Sequence, residues 1–297
     1  MSRLSVLNQV SLLPSAQQAI KELIGEDIEF PGYETETSQQ ALIERANDAE
    51  IILVSPGATI NEDFLAACPN VKYVSLCGSS TANIDLNILK QRDITITTVT
   101  NYGDEPTAEF IFLQLGNLLR GLGKYQWRSV PHELMDKKLG IVGLGAVGKS
   151  VAHLALAYKM NVAYTGPHHK EEWEAKGLSY KDLETLLQES DFILLSGPGS
   201  TELLSAKDFL ELCDGCVLIQ ASQGTVFDKD GFISWIKHEG NYAIFDYAAG
   251  EENYQAYHAL DRVIFPKIVA GHTQETKERL GRKVVDNLQR YLAKELQ

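Results

Sequence analysis

Gly143, Gly145 and Gly148 follow the apolar run Leu139-Gly140-Ile141-Val142 and precede the helix-forming stretch Ser150-Val151-Ala152-His153-Leu154-Ala155. That G-x-G-x-x-G spacing suits the binding of phosphates. The first glycine permits a tight turn, the second lets the backbone approach a pyrophosphate, and the third lets the helix pack close to the strand. The amides of Ala146, Val147 and Gly148 at the helix start then face the phosphates. A further strand at Asn161-Val162-Ala163-Tyr164-Thr165 completes a βαβ spacing. The motif predicts a dinucleotide site rather than a purely structural glycine turn.

Folds that select NAD place an acid at the end of the second strand to bind the ribose hydroxyls. Here that place holds Gly166, followed by Pro167-His168-His169-Lys170. Nothing in this stretch repels a 2′-phosphate, and His168 and Lys170 supply donors. The reading favours NADP over NAD, with both kept as cofactors; a solvated turn without selectivity is the plain alternative. Ligands of such sheets sit at the carboxyl ends of strands, which makes Pro198 and Ser222 candidate nucleotide contacts. Gly78, Ser79 and Ser80, with Thr81, offer hydroxyls and amides for a small anion or polar group. Cys68, Cys77, Cys213 and Cys216 are too few for a disulfide scaffold. The single C-x-x-C at Cys213-Asp214-Gly215-Cys216 reads as buried or half-buried thiols, with redox or metal chemistry as the lesser alternative, and no metal is expected.

The elements that must position these residues alternate. Short β runs at residues 4–9, 50–55, 72–77 and 94–99 are separated by helical patterns, which argues for a compact doubly wound domain in the first hundred residues. A long apolar helix from Asp104 to about Leu122 leads to the glycine turn and a second α/β series, with strands at Phe192–Ser196, Val217–Gln220, Ala243–Asp246 and Val263–Phe265. A terminal helix from about Thr273 to Leu296 carries Leu280, Val284, Val285, Leu288, Tyr291 and Leu292 at helical spacing and is expected to pack on the first domain. The fold class is thus α/β, two doubly wound parallel-sheet domains, one Rossmann and one flavodoxin-like. A formal net charge of −13 over 297 residues repels polyanions, so nucleic acid and anionic membranes are excluded as main partners. No apolar run approaches the ~20 residues needed to span a bilayer, and no secretory signal opens the chain, so a cytoplasmic protein is expected.

Together these segments resemble the D-isomer-specific 2-hydroxyacid dehydrogenases. Val71–Gly78 leading into Asn83-Ile84-Asp85-Leu86, Asn101-Tyr102-Gly103-Asp104 with Thr107-Ala108-Glu109-Phe110, and Leu139 to Gly148 carry the likeness. It implies a substrate domain at 1–102 plus 273–297, a nucleotide domain at 103–272, a small-molecule substrate and a homodimer. The family's catalytic groups are an Arg that grips the substrate carboxylate, a His acting as acid and base, and a Glu paired with that His. In Gln220-Ala221-Ser222-Gln223-Gly224 the Arg position is Gln223; Glu251, five residues beyond Asp246, is retained. The family's Pro-His pair corresponds to Pro266-Lys267 when aligned on the proline or to Lys267-Ile268 when aligned on Gly271-His272-Thr273, with histidine in neither register, and His272 is a second candidate for the missing imidazole. Gln is neutral and lacks the guanidinium fork, while Lys267 as an ammonium can give a proton to a nascent alkoxide. A plain Lys267–Glu251 salt bridge, a loop role for His272 and a strand-capping role for Asp246, against contact with the nicotinamide carboxamide, stay open. The leading reading is an NAD(P)-dependent oxidoreductase with an atypical site; the alternative is a catalytically impaired nucleotide sensor.

Overall fold

Strands form where apolar and β-branched residues run together, and in both halves of this chain the central ones are buried on both faces. The computed structural model describes residues 3–199 and 201–295, and the chain divides into two compact units, Met1–Tyr102 with Thr273–Gln297 and Gly103–His272. The first unit opens with β1 (Leu4–Val6), α1 (Pro14–Ile24), α2 (Gln39–Ala46), β2 (Ile51–Val54), α3 (Glu62–Ala67), β3 (Tyr73–Leu76), α4 (Leu86–Gln91) and β4 (Thr95–Thr97). The second contains α5 (Asp104–Arg120), β5 (Lys138–Val142), α6 (Ala146–Ala157), β6 (Asn161–Thr165), α7 (Glu171–Glu174), β7 (Ser179–Tyr180), α8 (Leu183–Glu189) and β8 (Phe192–Leu195). It continues through β9 (Val217–Gln220), α9 (Lys229–Ile236), β10 (Tyr242–Phe245), α10 (Glu251–Tyr257) and β11 (Val263–Ile264). The chain returns to the first unit as α11 (Gln274–Glu295). Leu296, the last residue of the expected terminal helix, lies outside the described residues.

The four strands of the first unit pair in parallel in the order β1-β2-β3-β4. Alternation along each strand divides its side chains between two layers. Ile51, Leu53 and Tyr73 face Ile20 and Ile24 of α1 and Leu280, Val284, Leu288 and Tyr291 of α11, while Ile52, Val54, Val74 and Leu76 face Leu42, Phe64, Leu65 and Leu89 of α2 to α4. Tyr73 stacks on Tyr291 with ring centroids 4.1 Å apart, fixing α11 on the sheet. The order is sequential, with β1 at one edge of the sheet and β4 at the other. Residues 25–38, after α1, form no ladder, although Ile28 is buried with Leu4 and Val6.

The second unit is a seven-stranded parallel sheet in the order β11-β10-β9-β8-β5-β6-β7. Leu139, Ile141, Tyr164, Leu194 and Ile219 meet α5 and α6 on one face, and Val142, Ile193, Leu195, Leu218 and Phe245 meet α8, α9 and α10 on the other. The edge strand β7 and the short helices α7 and α10 have no clear periodic signal in the sequence. No helix among the described residues is long and apolar enough to cross a membrane.

Candidate functional site

Strand order in the second unit reverses at β5, whose neighbours are β6 and β8, and in such sheets ligands occupy the crevice at the strand carboxyl ends beside this switch point. The turn after β5 is built around that approach. Gly143 has φ +98°, and a Cβ there would lie 3.0 Å from the Ser196 carbonyl oxygen; at Gly148 it would lie 2.5 Å from the Gly143 carbonyl oxygen. Ser196 Oγ donates to that same carbonyl at 2.6 Å, tying the turn to the end of β8. Gly145 caps α6 with no side-chain hydrogen bond, so the first amides of the helix have no intrahelical partner. Gly145 and Ala146 are exposed and Val147 is half-buried. Uncapped donors at the positive end of a helix, reached over glycine, are suited to a pyrophosphate. The residues present fit a bound dinucleotide.

Two loops line the next part of the sheet edge. A Cβ on Gly199 would strike the Gln223 carbonyl, so residues 197–199 and 222–224 are in close contact. Ser222 is buried, and its hydroxyl donates to the carbonyls of Leu195 (3.3 Å) and Gly197 (3.0 Å), which makes it a tether between the loops. Pro198 is exposed beside it. At the end of β9 the Gln220 side chain donates to the Gly224 carbonyl (2.5 Å), while its Oε1 is buried without a hydrogen-bond partner. Gln223, at the position where a guanidinium was expected by resemblance, is exposed and neutral.

The loops after β10 and β11 converge on one polar group. Lys267 Nζ lies 3.1 Å from Glu251 Oε2 and 3.4 Å from Oε1, Gln255 donates to Oε1 at 2.7 Å, and the Tyr247 hydroxyl donates to Oε2. The ammonium also sits 5.4 Å from the Tyr247 ring centroid and 5.3 Å from that of Tyr254. Hydrogen bonds from Tyr247, Gln255 and Lys267 hold the Glu251 carboxyl down to about 2, and Glu251, then Tyr247, push the Lys267 ammonium above its usual value. Half of each charged side chain remains exposed (56% and 52%), so the pair is open to a ligand as well as to water. Tyr247 and Tyr254 were not singled out from the sequence. Their one signal is spacing, since Tyr247, Glu251 and Tyr254 fall three to four residues apart and share a face across the start of α10.

Asp246 is buried at the end of β10, where Oδ1 accepts from the amides of Ala248 (3.0 Å) and Ala270 (2.9 Å). Burial raises its carboxyl above the ordinary range, the two amides and nearby His272 opposing that rise. The side chain pins the loop that carries Lys267 to the loop that carries Tyr247. His272 is exposed.

After β6, His168 and Lys170 are exposed. His169 is held, its ring 3.9 Å from that of Tyr180 and Nδ1 3.0 Å from Glu174 Oε1, which also accepts from the Tyr164 hydroxyl at 2.6 Å. Glu174 thus brings a carboxylate to a loop whose own sequence has none; no periodic pattern marks it, because α7 is a single turn. In the first unit, Gly78 closes against Pro56, whose Cγ would lie 2.6 Å from a Cβ, and its carbonyl accepts from the Val99 amide at 2.8 Å. Ser79 is exposed and Ser80 half-buried at the carboxyl end of β3.

Residues 114–269 match the family model of the D-isomer specific 2-hydroxyacid dehydrogenase NAD binding domain. A Staphylococcus haemolyticus protein bearing a provisional 2-hydroxyacid dehydrogenase name is 26% identical over 286 residues, covering 89% of this chain and 90% of its own. The D-lactate dehydrogenase of Aquifex aeolicus, solved with NAD and lactic acid, superposes with a TM-score of 0.79 at 22% identity, over 98% of this chain and 96% of that one. An acyclic imino acid reductase solved with NADPH and D-Arg gives a TM-score of 0.81 at 23% identity, over 98% and 97%. At these identities the solved structures establish a shared fold.

Proposed function

The chain belongs to the family of D-isomer-specific 2-hydroxyacid dehydrogenases, and we propose that it is an NAD(P)-dependent reductase whose proton-handling group is Lys267 rather than an imidazole. The observation that carries this reading is the connected group of Lys267, Glu251 and Tyr247 in the same unit as the glycine turn. Gly143, Gly145 and Gly148, with the amides of Ala146 and Val147, would hold the pyrophosphate, and a bound nicotinamide supplies the hydride. Glu251 fixes the ammonium, and Lys267 donates a hydrogen bond to the oxygen or nitrogen on which negative charge develops. Because Lys267 is held protonated, it cannot readily take a proton from an alcohol, which favours reduction over oxidation. Gln223 offers an amide in place of a charged fork, so the substrate is a small carbonyl or imine compound that does not depend on a tightly gripped carboxylate. His168 and Lys170 support NADP over NAD, and Asp246 acts by positioning the two loops around it.

Exposed apolar side chains on the second unit, Leu113 (61%), Leu122 (75%) and Tyr158 (49%), support a homodimer, which we place in the cytoplasm. A second reading, a nucleotide-binding sensor without turnover, draws on the exposed, neutral Gln223. Calorimetric titration with NADPH and NADH, followed in the same samples by reduced-nicotinamide absorbance with a panel of oxoacids, ketones and imines, separates the two. Tighter NADPH binding with turnover is expected; binding without turnover on any of the panel supports the sensor.

A further inference from the structure

Cys213 and Cys216 take no part in this chemistry, yet their arrangement is that of a pair able to close. The Cys216 amide donates to the Cys213 carbonyl (3.3 Å) across a reverse turn with Gly215 at its left-handed position (φ +72°). A four-residue turn holds its end Cα atoms within about 7 Å, and disulfides span Cα separations of about 4.4–6.8 Å. The Cys213 thiol is in hydrogen-bonding contact with that of Cys216 and donates to the Ser190 carbonyl at 2.9 Å. Access differs between them, since Cys216 is buried and Cys213 is half-buried. The turn is also framed: the Gly215 amide donates to Asn241 Oδ1 (2.9 Å), and Trp127 Nε1 donates to the Gly215 carbonyl (2.7 Å). The Arg128 guanidinium lies against Gly215, where a Cβ would strike it.

We propose that Cys213 and Cys216 form a reversible dithiol–disulfide site that exchanges with small-molecule disulfides, Cys213 attacking and Cys216 resolving. The surroundings favour that division of roles. The hydrogen bond with Cys216 draws the Cys213 thiol below its usual range, with help from Arg128 and against its own burial, Asp191 and Asp214, while the same bond and burial push Cys216 well up. The Cys213 thiolate attacks one sulfur of a disulfide RSSR and expels RS⁻, leaving a mixed disulfide. Cys216 gives up its proton, its sulfur attacks Cys213 Sγ, and the second RS⁻ leaves, so that two protein thiols and RSSR become one protein disulfide and two RSH. The turn lies at the amino end of β9, the opposite sheet edge from the glycine turn at the carboxyl end of β5. Closing the ring therefore leaves the nucleotide cradle in place.

Equilibration of the reduced protein with mixtures of glutathione and glutathione disulfide, followed by alkylation, trypsin and mass analysis of peptide 208–229, tests the proposal. The expected product at oxidising ratios is a peptide lighter by two hydrogen atoms and carrying no alkyl group. C216S should instead stop at glutathione on Cys213, and in the native reduced protein Cys213 should alkylate at least about tenfold faster than Cys216. Two alkylatable thiols at every ratio, or wild-type protein that accumulates glutathione on Cys213 without closing the ring, would overturn it.

Discussion

Lys267 carries the largest departure from the family's catalytic pattern, because an amine held protonated by a carboxylate behaves as a fixed cation and donor where an imidazole would exchange protons near neutrality. Replacing it with Ala should lower kcat for reduction about 10²- to 10⁴-fold while leaving NADPH affinity unchanged by calorimetry. Unchanged kcat would remove it from the mechanism. The same variant has an acid signature. Glu251 titrates at about 2 in the folded protein against an ordinary 4.5, so its contribution to stability is full above pH 4.5 and is lost as pH falls toward 2. Without Lys267 the folded value moves up and that contribution shrinks, which urea midpoints measured between pH 2 and 6 will register as a smaller rise with pH. Gln223→Arg argues the other side of the site. A bidentate, charge-assisted grip contributes about 1.5–3 kcal/mol, so kcat/KM for 2-oxoacids should rise about 10- to 150-fold, measured against an uncharged ketone as control.

The strand-turn-helix from β5 to α6 is where an element, rather than a side chain, is proposed to do the binding. Its geometry leaves no room at Gly148, where a methyl group would meet the Gly143 carbonyl at 2.5 Å. Gly148→Ala must therefore push α6 away from β5 or open the turn. The expected result is a loss of about 1–3 kcal/mol of stability together with weaker binding of both NADH and NADPH. A variant that binds both nucleotides as wild type would show that the turn has slack the distances deny. Asp246 acts at the same level, since one carboxylate oxygen joins the start of the segment after β10 to the loop after β11 and so sets where Tyr247 and Lys267 stand.

For the molecule as a whole, a net charge of −13 and a layered core in each unit leave few apolar surfaces uncovered. Leu113, Leu122 and Tyr158 are exceptions. Sedimentation at micromolar concentration should give a dimer, and charged substitutions at Leu113 and Leu122 should yield a monomer with an unchanged circular dichroism spectrum. A wild-type monomer would leave those side chains without the partner proposed for them.

Much of this was legible beforehand because it depends on local pattern. Short apolar runs alternating with helical patterns specified two parallel sheets, the glycine spacing specified a nucleotide-binding turn, and the apolar stripe from Leu280 to Tyr291 specified a helix that packs on the first unit. Other features arise only when distant segments meet. Tyr247 and Lys267 lie twenty residues apart and come together through the parallel pairing of β10 with β11, a long-range event that no spacing rule encodes. Glu174 reaches His169 only because α7 folds back beside β6, and Cys216 becomes a buried partner to Cys213 only once the turn before β9 is closed. Sequence by itself determined which of the longer elements form and where their polar ends fall, since those follow from hydrophobic patterning and backbone freedom. The tertiary structure decided which charges, rings and thiols touch, because contact energy depends on distances that chain order does not set.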